Sequence, residues 1–378
     1  MGDNALVNHF KSRIPEMLEF SKQLVEHESP STDPQAVNRF SAFLRRVFEA
    51  EGASCEVFSG TDRGDNLKLT WGQGDEQVLI LCHMDTVWPV GEVAKRPFRI
   101  EDGKVFGPGI YDMKAGFLYT LEAIRAIKQL GVKMNRRLVM VFNSDEEIGS
   151  TSSRALIEDE AKKSRFVLVL EPSVRGGGLK TSRKGQGTFS IRVTGVSAHS
   201  GSDPERGVSA IGELAHHILT LHALTDFRTG TTVNVGVVSG GTRSNVVAAQ
   251  ASAEVDVRVA NAREAERVES ALFGLKPTKS GISIEVTGGM VRPPMERSEG
   301  IGRLFKQAKA FAAELGFELT EAATGAGSDG NFTAALGVPT LDGLGAVGDG
   351  SHAIHEHMVI DAIPERIALL VRLITEMQ

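Results

Sequence analysis

Five apolar residues, Val78 to Cys82, run straight into His83-Met84-Asp85-Thr86. A histidine in such a place can coordinate a metal through one ring nitrogen, while a nearby carboxylate holds the other N–H and fixes the tautomer. Further along come Asp112 in Gly107-Pro108-Gly109-Ile110-Tyr111-Asp112-Met113-Lys114, the pair Glu146-Glu147, Glu171 before Pro172, and His352 in a glycine-rich segment that also holds His355 and His357. Taken together, His83, His352, Asp112, Glu147 and Glu171 are ligand chemistry for two zinc-like ions. The adjacent glutamates add a base. One carboxylate can bind metal while the other faces a water whose pKa zinc lowers to roughly 7. That second carboxylate can take the proton and pass it to a leaving amine. Each residue alone has a plainer reading. Asp112 could cap a helix, Glu146-Glu147 could be solvated charges ahead of a helix, Glu171-Pro172 could end a strand, and the histidines of 352–357 could decorate a surface loop.

The elements that must carry these residues are legible as patterns. Short apolar runs at 77–82, 137–142 and 166–170 read as buried strands of a parallel sheet, with further strands at 54–58 and 66–71. Helical spacing marks 5–27, 35–52, 117–130 and 152–162. Alternating strands and helices imply an α/β fold, a mostly parallel sheet with helices on both faces. Ligands in such sheets bind outside the carboxyl ends of the strands, and His83 and Asp85 emerge there on one side. The pattern changes after Pro172. Strands at 186–195, 231–239, 250–259 and 282–287 with helices at 206–224 and 263–273 give β-α-β-β-α-β, the ferredoxin-like order. Beyond 292 the α/β character resumes, with helices at 299–315 and 361–377 and short strands near 317–320 and 338–341. The expected division is a discontinuous domain, 1–178 with 292–378, and an inserted domain, 179–291.

Composition narrows the function classes. The 378 residues are 41% hydrophobic and 24% charged, with a net charge of −6 and no basic block, which argues against a nucleic-acid partner. No apolar run approaches a membrane span. The N-terminus shows neither a basic n-region nor an apolar h-region, so a cytoplasmic protein is expected. Two cysteines, Cys55 and Cys82, provide no disulfide framework. Cys82 faces away from His83 along the strand and reads as a buried thiol rather than a ligand. Gly325-Ala326-Gly327-Ser328-Asp329-Gly330 is a formal GxGxxG, but it has no strong strand before it and no acidic partner in a βαβ unit, so it does not read as a dinucleotide site. Neither GxSxG nor HExxH is present.

His83-Met84-Asp85-Thr86-Val87, Gly107-Pro108-Gly109 with Asp112-Met113-Lys114-Ala115-Gly116, and Asp145-Glu146-Glu147-Ile148-Gly149-Ser150 together resemble the motifs of the co-catalytic zinc hydrolases. That family includes bacterial glutamate carboxypeptidase, acetylornithine deacetylase, succinyl-diaminopimelate desuccinylase, aminoacylase and related di- and tripeptidases. The resemblance covers nearly the whole chain and is strongest to the glutamate carboxypeptidase branch. It implies a zinc-exopeptidase fold with the inserted domain as a lid, and two Zn2+ ions, with Co2+ or Mn2+ as substitutes. One ion would take His83 and Glu171, the other Glu147 and His352, with Asp112 shared. Glu146 would be the base, and Asp85 would support His83. The spacing of the family's last histidine, about four residues before a glutamate, selects His352 over His355 and His357. Within the inserted domain, His199 resembles the lid histidine that stabilises the oxyanion, and Asn245 and Arg258 resemble lid residues that contact substrate. Arg258 could equally be a solvated edge charge. Arg292 could grip a carboxylate as Arg258 would, and Gly327 and Ser328 fall in a substrate-contacting glycine loop. A homodimer through the lid follows from the same resemblance. The implied activity is release of a C-terminal glutamate-like amino acid from a small peptidyl or N-acyl substrate. The alternatives are deacylation of an intermediate of the acetylornithine or succinyl-diaminopimelate type, or an inactive zinc-retaining binding protein.

Overall fold

A computed structural model describes residues 3–60 and 62–378, which form two compact units. The first contains the chain through Ser182 together with Arg297–Thr324 and Ser328–Gln378; the second is Arg183–Glu296 with Gly325–Gly327.

The first unit is built on a six-stranded sheet in the spatial order Ser54–Phe58, Asn66–Gly72, Arg136–Asn143, Glu76–His83, Ser164–Val169, Thr340–Leu341. The last four strands run parallel and the first two pair antiparallel. The apolar run at 78–82 is continuous because both faces of its strand are covered. Val78, Ile80 and Cys82 join the core that includes Phe117, Leu121 and Ile124 of helix Ala115–Gln129 and Ile367, Leu370 and Ile374 of helix Ile363–Glu376. Leu79 and Leu81 pack on the other side with Ile157 and Ala161 of helix Arg154–Ala161. Cys82 is buried, burial raises its thiol pKa, and a Cβ on Gly116 would come within 3.2 Å of its sulfur. A bulkier residue at 116 would push the helix start away from this sheet.

A second, smaller sheet settles where two distant loops meet. Arg99–Glu101, Lys104–Phe106, His357–Val359 and Gly348–Asp349 form a four-stranded antiparallel arrangement in which His357 pairs with Phe106. It sets the loop after Phe106 beside the loop before His357. Runs of two or three residues carry no measurable period, so these strands have no signature in the sequence. The helix expected over 5–27 is two, Asp3–Ser12 and Ile14–Glu26, broken at Arg13 with Pro15 in the first turn of the second. The strand expected near 317–320 lies at Glu321–Thr324, paired with Leu179–Arg183.

The second unit has the order Thr232–Gly240, Gln250–Val259, Gly185–Thr194, Ser283–Arg292, all pairings antiparallel. Helices Ala210–His222 and Ala262–Phe273 complete a β-α-β-β-α-β unit. Phe189, Ile191 and Val193 alternate toward a core with Leu214, Leu221, Val268 and Leu272, as a sheet with one covered face requires. In the first turn of the second helix, Glu264 accepts from Thr231 at 2.6 Å and from Arg267 at 2.7 Å. Arg267 and Thr231 hold its carboxyl down at about 2. A depressed carboxylate pKa adds stability that is complete above the unfolded value and is lost as pH falls through the folded one. Glu264→Gln should therefore cost roughly 1 kcal/mol near neutrality. It should also flatten the acid limb of a thermal-melt profile between pH 4.5 and about 2. An unchanged limb would mean that this carboxylate is not depressed in the folded unit.

Candidate metal centre

The parallel strands deliver their ends to one edge of the sheet. Glu76–His83 ends at His83, the turn after Arg136–Asn143 holds Glu146 and Glu147, and Glu171 follows Ser164–Val169. His83 Nε2 lies 3.3 Å from Asp112 Oδ1 and 3.5 Å from Glu171 Oε1. His352 Nε2 lies 3.0 Å from Glu147 Oε2 and 3.5 Å from Asp112 Oδ2. The two oxygens of Asp112 thus face different histidines. Among the described residues, two sets bring their ligand atoms mutually within 4.8 Å: His83, Asp112 and Glu147, and His83, Glu146 and Glu171. Both sets share His83, and Glu146 stands in the second.

Asp85 is the hub of this edge. Its Oδ1 accepts the Glu146 N–H at 3.0 Å, and its Oδ2 accepts the Glu147 N–H at 3.1 Å and the Ser31 hydroxyl at 2.6 Å. The expected support of His83 by this carboxylate takes a different form. His83 Nδ1 sits 2.8 Å from the Asp85 carbonyl oxygen, while the carboxylate is at 3.5 Å. A main-chain acceptor on Nδ1 puts the proton there and leaves Nε2 free to coordinate. The side chain instead fixes the turn that presents both glutamates.

The protonation preferences have one common direction. Burial alone would lower the His83 pKa, but Asp112, Asp85 and Glu171 overcome it and hold the ring well above the ordinary imidazole value. Burial, with the Asp112 charge beside it, pushes Glu147 up to about 7, against the pull of His352. His352 rises to about 9 through its bond to Glu147. Glu147 and the two imidazoles therefore all shift toward the protonated form. Imidazole nitrogen and carboxylate oxygen are donors suited to zinc, cobalt or manganese, so the residues present fit divalent ions.

Of the three candidate histidines, His352 alone reaches the carboxylates. His355 is exposed, and His357 packs its ring on Phe106 with Nδ1 at the His355 carbonyl oxygen. His352 has φ +59°, a left-handed backbone that costs a non-glycine residue roughly 1–3 kcal/mol and marks sites held by their surroundings. Gly109, at φ +77°, makes the turn that leads to Asp112.

The residues expected to touch substrate meet varied fates. His199 is exposed, and its Nδ1 accepts the N–H groups of Gly201 and Ser202 at 3.1 and 3.0 Å. The helix that follows, Ala210–His222, is capped by Ser209. Asn245 accepts the Ser200 N–H through its carbonyl oxygen at 3.0 Å, which ties the two loops together. Arg258 binds Asp256 through Nε and Nη2 at 3.0 and 3.1 Å. Its strand lies between two others, which removes the edge-charge alternative. Arg292 is buried. Gly327 offers its carbonyl oxygen to the fully buried Arg183 at 2.9 Å. Ser328 is fully buried, and its hydroxyl donates to Asp342 at 2.5 Å.

Sequence reasoning missed Ser31, Trp88 and the roles of Glu28 and Glu356. Glu28 accepts the N–H groups of Gly91 and Val93, each at 2.8 Å. Hydrogen bonds of this kind, made between distant segments, have no spacing signal. The Ser29-Pro30-Ser31 stretch reads as a loop and nothing more.

Residues 79–376 match the family model described as peptidase family M20/M25/M40. The chain is 32% identical to carboxypeptidase G2 of Pseudomonas sp. (strain RS-16), over 99% of this chain and 92% of that protein. Among solved structures it is similar to the aminopeptidase PepT of Bacillus cereus, with a TM-score of 0.81 at 23% identity, covering 96% of this chain and 98% of that one. It is also similar to an M20 family metallo-carboxypeptidase of Sulfolobus solfataricus, with a TM-score of 0.73 at 16% identity, covering 95% and 98%.

His352→Ala should lower bound zinc toward one equivalent per chain, while His355→Ala should leave it unchanged, as read by elemental analysis of reconstituted protein. Loss on His355→Ala with retention on His352→Ala would move the ligand. Asp85→Asn removes an acceptor behind the ligands and should weaken metal binding by roughly 10–100-fold.

Proposed function

The chain belongs to peptidase family M20/M25/M40 and is a metal-dependent hydrolase of the metallopeptidase kind, and on that premise we propose a two-zinc enzyme releasing a C-terminal glutamate-like amino acid from a small peptidyl or N-acyl substrate. The observation that carries the reading is the Glu146-Glu147 turn. One carboxylate reaches His352, the other groups with His83 and Glu171, and Asp85 holds the N–H of both.

His83, Glu171, Asp112, Glu147 and His352 would hold the ions, which supply Lewis acidity toward the scissile carbonyl and acidify the attacking water. Glu146 accepts the proton of that water and returns it to the nitrogen of the departing amine. The fixed turn keeps its carboxylate oriented through both transfers. His199, with Nδ1 occupied as an acceptor, carries its proton on Nε2 and is a donor for a developing oxyanion. Arg258 gives its Nε/Nη2 edge to Asp256, which leaves the Nη1/Nη2 edge for a substrate carboxylate. The carboxypeptidase part of this reading draws further support from the relative named carboxypeptidase G2. Association through the second unit is part of the proposal. Among the described residues, strand Thr232–Gly240 pairs on one side only, with Val237 and Val238 exposed.

Amine release from an N-acylglutamate, an Ala–Glu dipeptide, N-acetylornithine and N-succinyl-diaminopimelate tests the substrate class. The glutamate compounds should be cleaved best; preference for either of the others would make the enzyme a deacylase with the same chemistry. Glu146→Gln should keep its metal and lose at least roughly 10²–10⁴-fold in kcat. Wild-type turnover in that variant would remove Glu146 as the base.

A further inference from the structure

Asp112 and His352 are separated by most of the chain, yet their side chains approach to 3.5 Å. The small antiparallel sheet brings their loops near one another, and a single carboxylate closes the remaining gap. Glu356 is buried, at 1% exposure, on the loop that carries His352. Its Oε1 accepts the N–H of Tyr111 at 3.0 Å and that of Asp112 at 3.1 Å. Its Oε2 accepts the N–H of Gly109 and the indole N–H of Trp88, each at 2.9 Å. Four donors from two other segments thus converge on one side chain. Trp88 lies three residues past Asp85, and the Arg96 guanidinium sits 3.9 Å over its ring. Arg96 also donates to the Ile354 carbonyl oxygen at 3.3 Å, back on the His352 loop. The Ala353 N–H on Gly350 and the Glu356 N–H on Ala353 complete the turn around the left-handed His352.

We propose that Glu356 is a positioning residue whose buried carboxylate, gripping the Asp112 loop and Trp88, holds Asp112 and His352 at the separation that metal binding needs. It donates nothing to an ion. It acts through the backbone of Asp112, with Trp88 and Arg96 as the outer side of the same clamp. A carboxylate suits the post because it offers acceptor sites for all four N–H groups, whereas an amide would turn an NH2 donor against two of them. This inference rests on the metal-centre reading above.

The test is metal affinity of the apo-protein, measured by zinc competition against a chromogenic chelator and by the absorption spectrum of bound Co2+. The variants are Glu356→Gln and Trp88→Phe, with His355→Ala as a control on the same loop. Circular dichroism and the apo-protein thermal midpoint report folding separately. Glu356→Gln should weaken zinc binding by about 10–100-fold, as loss of a group behind a ligand does, and should alter the cobalt spectrum. Trp88→Phe keeps a ring beneath Arg96 and removes one donor, so a loss of about fivefold is expected. It carries the test if Glu356→Gln does not fold. Folded variants that bind zinc within twofold of wild type, with the wild-type cobalt spectrum, would overturn the positioning role alone. Absence of uptake by the wild-type protein would overturn the metal-centre reading and the clamp with it.

Discussion

Repulsion among carboxylates governs this structure. Asp112, Glu146, Glu147 and Glu171 approach a common edge with two imidazoles between them, and burial raises the cost of leaving their charge uncompensated. Burial and the neighbouring Asp112 raise the Glu147 pKa, and bonds to carboxylates raise those of His83 and His352. A fold that concentrates acid this way needs rigid supports that fix the position of each carboxylate.

Those supports are main-chain hydrogen bonds rather than opposed charges. Asp85 holds the two N–H groups of the Glu146-Glu147 turn, and Glu356 holds three N–H groups around Asp112. Two buried carboxylates thus organise the loops that present the remaining ones. Both accept hydrogen bonds from several N–H donors. Behind them lie the parallel strands, whose apolar runs fix the register in which His83, the glutamate turn and Glu171 arrive together.

Much of this edge is legible in the chain. His83, Asp112, Glu146, Glu147 and Glu171 each follow a strong local pattern, an apolar strand or a glycine turn, and the sheet order converts those linear positions into neighbours. The β-α-β-β-α-β order of the second unit is legible for the same reason, through its alternating strands. What escapes is non-local. Ser31 meets Asp85 across 54 residues and Trp88 meets Glu356 across 268, and neither carries a signature in its own segment. Short strands such as Gly348–Asp349 have no period to read. Ser328 and Asp342, whose side chains bond inside the first unit, are likewise far enough apart that neither segment announces the contact. The break at Arg13 was missed because the apolar spacing continues across it, although Pro15 marked the place.

The central claim is that the carboxylate cluster exists to hold two ions bridged by Asp112. Anomalous diffraction at the zinc edge, from crystals of the reconstituted protein, addresses it directly. The account predicts two peaks, one bonded to His83 and Glu171 and one to Glu147 and His352, each about 2.0–2.2 Å from an Asp112 oxygen. A single peak, or a pair in which Asp112 touches only one ion, would contradict it.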